Sequence, residues 1–309
     1  MSVQATGFTQ AVQISQVVMP KFCDLRVRFM QLKTLESGAV GRRLPFFLLL
    51  TIGSALAVIH VVLVERSGDE SLVPLSLMFW LSVGMLVWQK RHKLVLKSDA
   101  ISIALGIVLL TGFLIKGIQA PTFNYLAVGP FIVTLGLTLL ISGWRYLMQY
   151  RSELILMFLF GIPKVLLWPI VDIREPTARF STLILHCLGF DALQTGTIIA
   201  LPTGSVDVLQ DCSGLNGMLY LLAISGLFLV ILPLNGVKQY FVPLMGIAFA
   251  FSFNAARVSF LAIMAALPNP EHFQNWHSTS VFSLGALGLF CGMYCLLLWC
   301  EKRVKIKRT

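Results

Sequence analysis

The sequence predicts an all-α polytopic membrane protein of about eight transmembrane helices, with a short extracytoplasmic helix and hairpin ahead of a cysteine. Three observations predict it. Hydrophobic residues make up 57% of the 309, and charged residues only 12%, about half the fraction of an ordinary soluble domain. The mean hydropathy is +0.82. Apolar runs long enough to cross a ~30 Å hydrocarbon core recur along the chain, and clusters of lysine and arginine fall at alternate junctions between them. A soluble globular enzyme is excluded on these grounds. The net charge of +10 belongs to basic cytoplasmic loops, not to a nucleic-acid surface. Six cysteines without CxxC pairs give neither a zinc site nor a disulfide framework, and no cofactor is expected. No cleavable signal peptide and no internal repeat are visible, and the second absence weighs against an inverted-repeat transporter.

Residues 1–43 are basic (Lys21, Arg26, Arg28, Lys33, Arg42, Arg43) and read as a cytoplasmic extension with a short surface helix around Phe22 to Leu35. The membrane domain, 44–299, opens with a span from Leu44 to Val64, followed by Glu65, Asp69 and Glu70 outside. A second span, Leu72 to Trp88, leads into Lys90, Arg91, Lys93 and Lys97, a strong cytoplasmic marker. The third runs from Ala100 to Ile118 and the fourth from Tyr125 to Trp144, which ends at Arg145 and Arg151. The fifth, Leu154 to Ile170, carries Pro163 and Pro169, tolerated in membrane helices with a kink. Lys164 inside it needs a partner or a cavity.

Val171 to Asp211 then lies outside, with an amphipathic helix over Ala178 to Leu188. A hairpin-like alternation follows over Thr195 to Leu209, around Pro202-Thr203-Gly204. The sixth span runs from Ser213 to Leu232. The seventh, Tyr240 to Leu267, is stopped by Pro268-Asn269-Pro270. The eighth ends at Trp299, and residues 300–309 are a basic cytoplasmic tail. Both termini are therefore expected in the cytoplasm of a plasma-membrane protein.

Asp211-Cys212-Ser213-Gly214-Leu215-Asn216-Gly217-Met218 is the stretch around which function is organised. Small neighbours leave the Cys212 thiol open, and the segment end places it where water meets hydrocarbon. Arg257 lies inside the seventh span, where an arginine costs at least ~2.5 kcal/mol. His277 opens the eighth. Arg257 sits ~15 Å before Leu267 along an ideal helix, but a span of about 28 residues, ~42 Å, exceeds the core, so the surplus can lift Arg257 to the outer interface. Thiol, guanidinium and imidazole then meet at the outer face. An arginine or a protonated histidine nearby lowers a thiol's pKa, the imidazole can act as base and acid, and the guanidinium can hold an oxyanion. Ser213, Gly214 and Asn254 are the candidate substrate-binding residues. Asn254, one turn before Arg257, can hold its guanidinium or a substrate carbonyl.

Plainer readings stand beside each. A buried cysteine is commonly an inert small hydrophobe. Cys187, next to His186, is a rival thiol or a disulfide candidate. Cys291, Cys295 and Cys300 read as packing, and His277 alone would be an interfacial histidine. A transporter or lipid-handling protein, with Lys116, Lys164 and Arg257 along a polar path, is the competing class.

With Cys212-Ser213-Gly214 heading one span, Asn254-Ala255-Ala256-Arg257 in the next and His277 opening the last, the chain resembles the exosortase/archaeosortase family over residues 40–300. It differs from many relatives at Asn216, where they carry a basic residue. The resemblance implies a membrane-integral, sortase-like cysteine transpeptidase or protease. Its partners would be the carboxyl-terminal sorting tails of secreted proteins, built from a Pro-Glu-Pro-type motif, an apolar span and a basic end.

Overall fold

The computed structural model describes residues 46–68, 72–119, 122–267, 270–277 and 281–306. The basic extension 1–43 and its expected surface helix lie outside them. The described chain is helical throughout, apart from one small sheet. Helix α1 covers Phe46–Arg66, α2 Leu72–Lys90, α3 Ala100–Gln119 and α4 Phe123–Ser142. Gly143, at φ +72, ends α4, with its N–H on the Leu139 carbonyl. A 3₁₀ turn, Trp144–Tyr150, leads into α5, Arg151–Leu167.

Among the described residues six helices are long and apolar enough to cross a membrane: α1 to α4, α8 (Lys238–Ala265) and α10 (Val281–Ile306). This is an all-α polytopic membrane fold. The expected count of eight is not reached by length alone. Helix α7, Leu215–Ile231, is apolar but only 17 residues long. Helix α5 is equally short and carries Arg151, Glu153 and Lys164. Both pack in the middle of the bundle, where protein neighbours relieve the need to match the full apolar thickness. The Lys164 ammonium meets the Tyr220 hydroxyl of α7 at 2.8 Å and lies 4.7 Å from that ring's centroid, which supplies the partner its depth requires. At the far end of α5 the fully buried Glu153 pairs with Lys90 of α2 at 2.8 Å.

Small residues set the closest helix approaches, as membrane helices use them. Gly161 of α5 is the tightest: a Cβ there would overlap the Ala127 carbonyl of α4. Gly161→Ala should force α4 and α5 apart, at a cost of about 1–3 kcal/mol or more. The expected result is reduced membrane abundance and a lower aggregation temperature in detergent. Unchanged values for both would show that the α4–α5 seam is loose.

Between α5 and α7 the chain builds a polar cap. Helix α6, Arg174–Cys187, starts four residues before the amphipathic stretch expected from sequence. Asp172 captures both the backbone N–H and the guanidinium of Arg174, at 3.0 and 2.7–3.1 Å, and Arg174 holds the Asp172 carboxyl down at about 2. The buried stripe Thr177, Ala178, Ser181, Thr182 and Leu185 seats α6 on α8. There the Ser181 hydroxyl donates to the Ala255 carbonyl (3.0 Å) and the Ser259 hydroxyl to the Ser181 carbonyl (2.9 Å).

The expected hairpin is present as β2, Ile198–Leu201, and β3, Gly204–Asp207, joined by Pro202-Thr203. A third strand, β1 (Leu193–Thr195), precedes them, giving an antiparallel meander in the order β1-β2-β3. Ile199, Val206 and Val208 turn inward onto Val258 and Ala262 of α8. The sheet thereby braces the C-terminal half of α8 and delivers the chain to Cys212.

Candidate active site

Cys212 closes a short 3₁₀ turn, Gln210–Cys212, just before α7. Carbonyls on either side of the thiol, and that of Cys212 itself, have donors. Leu209 accepts from the Cys212 N–H (3.0 Å) and Gln210 from the Ser213 N–H (3.2 Å) and hydroxyl (2.7 Å). Cys212 itself accepts from the Asn254 amide (2.9 Å), Ser213 from the Thr177 hydroxyl (2.8 Å) and Gly214 from the Met218 N–H (3.0 Å). A turn tied at these carbonyls holds the thiol in one place.

The same contacts give the cysteine-serine-glycine order a physical reason. Ser213 is fully buried and spends its hydroxyl on the turn. Gly214 sits at φ +91, and a Cβ there would lie 2.6 Å from the Asn254 amide nitrogen, so only glycine lets Asn254 reach the Cys212 carbonyl. Asn254 thus anchors the backbone of the cysteine. Thr177 and Gln210 are structural partners that sequence reasoning missed, because the first depends on how α6 docks and the second reaches back to the Trp168 and Val171 carbonyls after α5.

The structure brings the three candidate reactive residues together. The Cys212 sulfur lies 3.6 Å from His277 Nε2. Arg257 Nη2 donates to the His277 carbonyl at 2.8 Å. Helix α8 has the length anticipated, 28 residues, and Arg257 lies eight residues before its end, high enough to meet α9 (Pro270–His277). Helix α9 is held by Trp276 against Phe260 of α8, with centroids 4.8 Å apart, and His277 stacks on Phe273 at 5.7 Å. The Arg257 Nε is buried without a hydrogen-bond partner.

Burial pushes the Cys212 thiol up, and Asp211 adds to this, while the Arg257 guanidinium pulls it down. The upward effect wins. The Arg257 guanidinium thus acts in the direction expected from sequence, but desolvation outweighs it. The proton must leave when the thiol reacts, and His277 Nε2 is the group in reach.

Two cavities flank the site. One, about 610 Å³, is bounded by β3, α8 and α9 and contains both Cys212 and His277. The other, about 820 Å³, starts at Asp211, Asn254 and Arg257 and follows α7 and α10 down to Phe228 and Cys291. Of the three intramembrane cations singled out from sequence, Arg257 lines it; Lys164 stands behind Tyr220. Cys187, at the end of α6, is exposed and free.

The fold and this geometry define a multi-pass membrane protein with a thiol–imidazole pair at the head of a bundle helix, next to a guanidinium. The model of the transmembrane exosortase family (Exosortase_EpsH) matches residues 68–300. The chain belongs to that family, a family of membrane cysteine transpeptidases and proteases that process sorting signals. No curated protein and no solved structure matches it significantly.

Proposed function

We propose that the chain cleaves carboxyl-terminal sorting tails with a Cys212/His277/Arg257 site facing the outside of the plasma membrane. The observation that carries this reading is the 3.6 Å contact between the Cys212 sulfur and His277 Nε2. His277 takes the thiol proton as the sulfur attacks the scissile carbonyl. Arg257 stabilises the resulting oxyanion with the donors not committed to the His277 carbonyl. The carbon–nitrogen bond then breaks, His277 returns the proton to the leaving amine, and a thioester remains on Cys212. An amine acceptor resolves it in transpeptidation. The substrate class is the tail with a Pro-Glu-Pro-type motif, an apolar span and a basic end; the basic cytoplasmic ends of the enzyme fit the same orientation in the bilayer.

The test is co-expression with a secreted protein carrying such a tail, read as loss of the tail in the presence of the enzyme. A tail left intact would remove the assignment. Sidedness has its own measurement. In a Cys187→Ala background, a membrane-impermeant thiol reagent is expected to label Cys212 in intact cells. Labelling that requires permeabilisation would place the site on the cytoplasmic side and sink this orientation.

A further inference from the structure

Strand β3 is the last in the order β1-β2-β3, so one of its edges is not used by β2. The register identifies which groups that edge presents. Val208 N–H donates to the Thr197 carbonyl at 3.0 Å, and Val206 stands opposite Ile199. Hydrogen-bonded pairs alternate along an antiparallel ladder. Gly204, Val206 and Val208 therefore direct their backbone groups to β2, while Ser205 and Asp207 direct theirs to the opposite edge. The Asp207 carbonyl accepts from Leu209 N–H at 3.1 Å. The Ser205 N–H and carbonyl and the Asp207 N–H are left facing outward.

That edge borders the 610 Å³ cleft. Five consecutive residues, Ser205 to Leu209, form one wall, Val258 and Leu261 of α8 the floor, and Phe273 and Gln274 of α9 the far side. The cleft contains Cys212 and His277. Because Val206 and Val208 pack on α8, the sheet lies face down on the helix and its edge looks across the cleft. At ~3.3 Å per residue, the wall is about 13 Å long and matches a segment of about four extended residues.

We propose that the free edge of β3 receives the substrate residues on the acyl side of the scissile bond as an added strand, pairing with Ser205 and Asp207. The inference rests on the sorting-tail reading above. The apolar part of the tail leaves on the other side of Arg257, where the 820 Å³ groove runs along α7 and α10. Main-chain pairing is sequence-tolerant, and alternate positions give it selectivity. A strand added to an edge turns every second N–H toward the enzyme. Prolines at the first and third positions of a Pro-Glu-Pro motif then fit in one register, with both ring nitrogens turned away and the central glutamate's N–H and carbonyl on Ser205.

The experiment compares processing half-times for the full-length membrane enzyme co-expressed with its tail substrate. Proline lacks the edge donor, whereas alanine keeps it, so Ser205→Pro is set against Ser205→Ala at matched membrane abundance. On the substrate, the central glutamate is replaced by proline or by alanine. Proline is expected to be slower than alanine by about 3- to 10-fold in each arm, the worth of one backbone hydrogen bond. Equal rates for proline and alanine in the substrate overturn the added strand, and that arm decides alone if Ser205→Pro fails to accumulate. A wild-type enzyme that leaves every tail intact overturns the sorting-tail reading and the strand with it.

Discussion

Cys212→Ala is expected to abolish tail processing, by on the order of 10⁴-fold or more, while the protein accumulates in the membrane at its normal level. The separation of the two readouts follows from the structure. Asn254 grips the main-chain carbonyl of Cys212, and the flanking carbonyls are held by Thr177, Ser213 and Met218. Loss of the sulfur leaves all of these in place. His277 keeps its stack on Phe273 and its carbonyl on Arg257. The thiol therefore contributes little to stability and, as nucleophile, nearly everything to the rate. The rival thiol supplies the comparison. Cys187 lies exposed at the end of α6, and Cys187→Ala should process normally. Processing that survives Cys212→Ala and disappears with Cys187→Ala would move the nucleophile to α6.

Much of the scaffold was legible because membrane crossing is written in local composition. Apolar run length and basic loops place α1 to α4 and α8 within a few residues of their observed bounds, whereas α10 runs past the expected end at Trp299 to Ile306, into the stretch read as a tail. What composition conceals is whatever depends on neighbours. Helices α5 and α7 are shorter than a full crossing since they sit among other helices. The break at Gly143 and the 3₁₀ turn after it interrupt a stretch that hydropathy alone runs on to Trp144. Strand β1 has only three residues, too few for an alternation to show, and it exists because β2 pairs with it.

The site divides in the same way. Arg257 announces itself as a charge in an apolar run, and Cys212 as a thiol with small neighbours at a helix head. Their approach to His277 depends on how α9 folds back beside α8, with Trp276 packed on Phe260. Thr177 carries no such signal, being one of several hydroxyls on an amphipathic helix. The roles of Ser213 and Gly214 become readable only once the closeness of Asn254 is known. Even the balance acting on the thiol is a tertiary property, since burial pushes its pKa up against the pull of the nearby guanidinium.

Arg257→Lys is expected to lower the processing rate by about 100- to 1000-fold with normal membrane abundance. The guanidinium is a planar fork with five donors. One of them, on Nη2, is committed to the His277 carbonyl at 2.8 Å, which fixes the end of α9 and with it the imidazole. The buried Nε has no partner in the resting protein, so the same group still has a donor to offer when charge develops on a substrate oxygen. An ammonium keeps the positive charge but is a point on a flexible stem. It can hold the α9 carbonyl or meet the oxyanion, but it does not reproduce the fork that does both. Charge retention protects the fold, because Arg257 is only half-buried and a lysine ammonium there keeps access to water and to the His277 carbonyl. The measurement is membrane abundance and processing rate for the same variant. Normal abundance with near-normal processing would take Arg257 out of the reaction. Loss of abundance would assign it to holding α9 on α8, and the oxyanion donor would then have to be sought among the N–H groups at the head of α7.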